Sequence, residues 1–265
     1  MKTTGHILRN LCAAIGLYAL LAPGPTIAAQ QEPNLYLAQA ITSGTSEDRR
    51  QAALQDCLRQ AVVRVTGDQR LLQSAGFAAI LDKPGDLIRE FTYRDRMSGT
   101  PMHDEQGSYD RPHDLTCIYE PQKFDQAMAK IGAKPWPLPR PTVLVLLEVR
   151  DTKVSGFATA KDERYSPMIG SFERIAEQFA LPMKMADRLD TYISAMTPKD
   201  LARREGAQYV LNGRMTRVTI GWRVNWTLST EPKMTAWSVE NVGFDDAFRI
   251  GVRGAAQALS NNGSP

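Results

Sequence analysis

Beyond the first thirty or so residues the chain has no long apolar run, and it has few cysteines, few histidines and no dominant charge sign. Each shortage excludes something. A helix crossing a bilayer needs about 20 consecutive apolar residues, so the body of the chain is not expected to span a membrane. The formal net charge is +3, of which Lys2 and Arg9 supply two, so the rest carries +1. That balance gives no electrostatic reason to expect nucleic acid or an anionic membrane surface as partner. No Gly-x-Ser-x-Gly elbow, Walker loop or Gly-x-Gly-x-x-Gly turn occurs, so acyl hydrolysis of that kind and nucleotide binding have no motif behind them, and no cofactor is expected.

What is present begins with a leader. Lys2 and Arg9 precede the short apolar stretch Leu11 to Ala22; Pro23 and Pro25 break it, and Ala28 and Ala29 offer a cleavage site near Gln30. This is the pattern of a secretory signal over residues 1–29, which predicts a periplasmic chain. An uncleaved anchor is the alternative. Cys12 has no lipoprotein motif around it, so two cysteines remain after cleavage, Cys57 and Cys117. An oxidising compartment permits them to pair, and a helix packed on a strand could bring them together. Two separate buried thiols explain the spacing equally well.

Periodicity and turn residues predict an α+β chain of two small mixed domains. Residues 30–131 read as β-α-β-β-α, a small sheet with helices on one face. The helix after Ser46 carries the apolar stripe Leu54, Cys57, Leu58, Ala61, Val62, Val65 and stops at Gly67. The segment 132–141, with four prolines, reads as a stiff linker. Residues 142–260 read as an α/β mixed-sheet domain, and 261–265 as a disordered tail. In that second domain TVLVLLEV from Thr142 suits a strand buried on both faces. Thr197, Pro198 and Gly206 mark the ends of a helix. Trp222, Val224, Trp226 and Leu228 alternate with Arg223, Asn225 and Thr227, as in a half-buried strand. Gly251, Gly254 and Ala258 would let the last helix lie close on a sheet.

The order of several segments carries a resemblance. RQAALQDCLRQAVVRVTGDQRLL from Arg50, Arg140-Pro141 before an apolar strand, LPMKMAD from Leu181, REGAQYVLNGRMTR from Arg204 and GWRVNWTL from Gly221 together resemble the exported bacterial family DUF2066. That family has no assigned activity, so the resemblance implies no catalytic residues. Its second domain is similar in outline to the amino-terminal domain of TolB and to envelope accessory lipoproteins, which implies protein binding.

Candidate sites are few. His103 and His113, with Asp104, Glu105, Asp110 and Asp114, could offer nitrogen and oxygen ligands to a metal, but their spacing matches no ligand signature and a solvated loop explains them. Arg214, Arg217 and Arg223, near Arg203 and Arg204, could face an acidic partner or anionic glycan; a solvated outer face of a hairpin explains them too. The expectation is therefore a non-catalytic binding or accessory module of the cell envelope, with an envelope protein as partner. The alternatives are an envelope hydrolase or metal-dependent enzyme using the His103–Asp114 loop, and a small-ligand carrier using the cleft between domains.

Overall fold

The apolar stripe from Leu54 to Val65 becomes the buried face of helix α1, Glu47–Thr66. Ser46 takes the N-cap position in extended backbone, although its hydroxyl donates to Asp48 and caps no amide. Gly67, left-handed at φ 72°, ends the helix. The computed structural model describes residues 33–99, 111–187, 196–230, 232–263 and 265. The expected leader, His103, Asp104, Glu105 and Asp110 lie outside these. Among the described residues no helix is long and apolar enough to cross a membrane.

The first layer is a three-stranded antiparallel sheet in the order β1 (Leu37–Ser43), β3 (Pro112–Tyr119), β2 (Ile88–Asp95). Helices α1, α2 (Ala75–Leu81) and α3 (Pro121–Lys130) share a core with it, built on Leu58, Phe77, Leu115, Tyr119, Phe124 and Met128. The expected β-α-β-β-α order is present, with α2 and two 3₁₀ turns between α1 and β2. Cys57 of α1 and Cys117 of β3 are joined as a disulfide in this core, their Cα atoms 6.4 Å apart.

The second layer is a mixed sheet. β4 (Val143–Arg150) runs parallel to β7 (Tyr209–Arg217) on one side and to the short β6 (Met183–Met185) on the other. β7, β8 (Trp222–Ser229) and β9 (Met234–Val242) form an antiparallel meander, and β5 (Ser155–Ala158) pairs with the far end of β4. Sequence periodicity does not mark β5: four residues, with Gly156 among them, carry too little pattern. Helices α4 (Ser166–Gln178) and α6 (Phe244–Leu259) cover one face, while α5 (Pro198–Arg204) covers Leu144, Leu146 and Val210 on the other. β4 is thus buried on both faces, as its composition requires. Trp226 fills the centre: a Cβ on Gly213 beside it would come within 2.4 Å of the indole, and one on Gly251 of α6 within 2.6 Å.

The proline-rich segment 132–141 is pinned between the layers. The Trp136 amide donates to the Val65 carbonyl (2.8 Å), and the Arg140 guanidinium lies over the Trp136 ring at 4.2 Å. Arg140, buried, donates to the carbonyls of Phe179 (2.6 Å), Trp136 (3.0 Å) and Arg64. Arg64 in turn reaches the carbonyls of Glu177, Gln178 (3.0 Å) and Asn34 (3.1 Å). Two guanidiniums therefore donate to carbonyls at the C-terminus of α4, at the negative end of its dipole: Gln178 and Phe179, and Glu177, which also accepts the Ala180 amide. Burial, and then the neighbouring Arg64 charge, pull Arg140 down to about 10, still charged at neutral pH. Asn262, just past α6, donates to the Thr66 carbonyl (2.9 Å), and Val63 of α1 joins the second core. Contacts across these points make Pro33–Pro265 one compact unit containing both sheets.

Candidate functional site

The three arginines singled out from the sequence do not share a face. In β7, Leu211, Gly213, Met215 and Arg217 point toward α4 and α6, while Arg214 points away; Arg217 stacks over Trp222 at 5.2 Å. Arg214 and Arg223 do lie on the open face of the meander. There Arg214 Nε meets Glu148 (2.9 Å) and Arg223 meets Glu240 (2.5 Å). The hydrogen bonds from Arg214 and Arg223 hold Glu148 and Glu240, respectively, below the usual glutamate range. The face is thus internally neutralised. Trp222 and Trp226 are core.

The histidine loop is only partly in view. His113, on β3, donates from Nδ1 to the Arg111 carbonyl (2.8 Å) and lies edge-on to Tyr93. Asp114 is held by Arg94 (2.6 Å) and Arg96 (3.5 Å). Among the described residues no cluster of three His, Cys, Asp or Glu could hold a metal ion. Arg203 and Arg204 sit in the last turn of α5, paired with Asp200 and Glu205.

The prominent cavity is an open groove of about 830 Å³ between the layers. One wall is α1 and the outer edge of β1, where Gln60 accepts the Gln39 amide (2.7 Å) and so occupies a donor that an edge strand leaves free. The other wall is α4 and α6. Five guanidiniums line the groove against two carboxylates, and the distribution is uneven. On the first wall Arg59 pairs with Asp56 (2.8 Å) and Arg96 with Asp114. On the second wall stand Arg174, Arg249 and Arg253. Arg249 reaches Asp246 only at 3.9 Å; Arg253 lies over the Phe179 ring, and its buried Nε has no hydrogen-bond partner. Burial, and then the Arg249 charge, lower the Arg253 pKa. Sequence reading missed this wall because its arginines come from helices far apart in the chain. The one local signal was Arg249 and Arg253, one helical turn apart beside an apolar stripe.

Residues 29–137 match the family model of a domain of unknown function, DUF8605. This overturns the expected resemblance to DUF2066: the matched segment includes the opening helix on which that resemblance leaned, and it matches a different domain of unknown function. The matched span covers the first sheet and its helices and ends before β4. No curated protein matches the chain. Among solved structures, TolB from Acinetobacter baumannii aligns at 15% identity and a TM-score of 0.24, over 47% of this chain and 27% of TolB. The chain thus spans about a quarter of that protein's length. So slight a likeness leaves the expected TolB-like outline of the second half without support.

Proposed function

We propose that this chain is a non-catalytic binding module of the cell envelope, exported by its leader, that recognises an envelope component through the arginine-lined groove. The carrying observation is the second wall, where three guanidiniums at the rim of an open cleft have only Asp246, 3.9 Å from Arg249, as a nearby carboxylate. Arginine is enriched where proteins recognise partners, because its planar fork makes several directional bonds at once. The open face of the meander offers a poorer surface, since Arg214 and Arg223 are already paired. The groove's volume also falls in the range of small-molecule sites, about 300–1,000 Å³, which favours the carrier reading as second choice.

Site-specific photo-crosslinking in cells tests the proposal. A crosslinker in place of Gln178, in the groove, should give a discrete adduct, and one in place of Asn225, on the open sheet face, should not. Reversing the charge of Arg174 and Arg249 should abolish the adduct. Equal adducts from both positions, or none from position 178, would remove the groove as the recognition surface.

A further inference from the structure

Arg174 and Arg253 line the groove with no carboxylate in ion-pair contact among the described residues, although the Asp246 charge acts on Arg253. Arg249, a turn before Arg253 on the same side of α6, adds a like charge at a spacing that opposes helix formation. Arg174 is exposed, and Arg253 keeps an unmet buried donor. We infer that Arg174, Arg249 and Arg253 form a binding site for a phosphate-class oxyanion, the group by which the groove holds its ligand; the inference rests on the groove being the recognition surface.

Charge matching selects that class. Arg174, Arg249 and Arg253 share one nearby carboxylate, Asp246, which lies 3.9 Å from Arg249 and also acts on Arg253, so two positive charges remain unbalanced. A carboxylate would neutralise one of them. A phosphomonoester carries a charge of about −1.5 to −2 at neutral pH and three acceptor oxygens, enough for forks arriving from two helices. The helices hold the forks in place: Phe172 of α4 packs on Phe248 of α6 with ring centroids 5.4 Å apart, and Phe179 supports Arg253. On the opposite wall Arg59 has its own carboxylate, Asp56 at 2.8 Å, and Arg96 shares Asp114 with Arg94.

Calorimetric titration of the full chain with inorganic phosphate, at fixed ionic strength, is the test. Saturable single-site binding is expected. Arg174→Gln, an exposed change that leaves the core intact, should weaken it about tenfold or more, the equivalent of one charge-assisted bond. Arg253→Gln should do the same, whereas Arg214→Gln on the open sheet face should leave the affinity unchanged. A second arm uses vesicles with and without phosphatidic acid. Arg174-dependent sedimentation with the acidic vesicles assigns the phosphate to a lipid headgroup, and phosphate binding without sedimentation assigns it to a soluble ligand. Absence of binding in both arms, or equal loss in Arg174→Gln and Arg214→Gln, overturns the site. If the crosslink at position 178 persists while phosphate fails, only the oxyanion site falls; loss of both removes the groove reading as well.

Discussion

Arg64 and Arg140 do unusual work for surface-type residues. Neither has a carboxylate partner in its hydrogen-bond set; both donate only to backbone carbonyls, those at the end of α4 beside Ala180, which holds a left-handed φ of 49°, and those of Asn34, Arg64 and Trp136. Each such bond stabilises modestly, but removing the donor strands several buried acceptors at once. Arg140→Ala should therefore lower the unfolding free energy by about 3 kcal/mol in urea titration. Arg140→Lys should not restore it, because an ammonium cannot reproduce the planar fork over Trp136. An unchanged midpoint would show that the carbonyls find other partners. Arg140 was visible in the sequence only as part of a proline-rich linker. Apart from Trp136, its partners lie 39 residues further on, at Phe179, and 76 residues back, at Arg64, so no local pattern could name them. The same holds for the groove, whereas the more conspicuous Arg214 and Arg223 are neutralised by Glu148 and Glu240 on neighbouring strands.

Elements were the most legible scale, because their ends are local chemistry. Thr197 accepts the Asp200 amide (3.2 Å) as N-cap of α5, Pro198 opens it, and Gly206 follows it with φ 69°. The alternation from Trp222 to Leu228 places its apolar side in the core and Arg223, Asn225 and Thr227 on the other face. Small residues in α6 act as foreseen: Gly251 admits Trp226 and Gly254 admits Trp237, whose indole nitrogen donates to the Ile250 carbonyl (3.2 Å). Gly251→Ala should gain helix propensity yet lose overall, because its methyl group meets a fixed indole. A net destabilisation of roughly 1–3 kcal/mol is expected, with altered Trp fluorescence. A gain in stability would mean that α6 can move outward without cost.

At the scale of the whole molecule, α1 decides the architecture. Its stripe packs on the first sheet while Val63 enters the second core, and Gly67 abuts Ser260 beyond α6. All four tryptophans lie in or against the second layer, and the disulfide closes a 60-residue separation in the first. In the chain-entropy picture such a loop contributes about 4 kcal/mol. Replacing Cys57 and Cys117 by Ala should therefore lower the unfolding midpoint reported by tryptophan fluorescence, although the bridge belongs to the first core and the tryptophans to the second. An unchanged tryptophan transition would show that the layers unfold independently. From sequence alone came the α+β class, the order and ends of most elements, and the burial of both tryptophans in β8, because caps, glycine stops and hydrophobic period act over a few residues. Only the tertiary structure decided which charges are paired, which stand free in the groove, and that the proline-rich segment is clamped between two sheets. Those properties depend on residues that folding, and not sequence spacing, brings together.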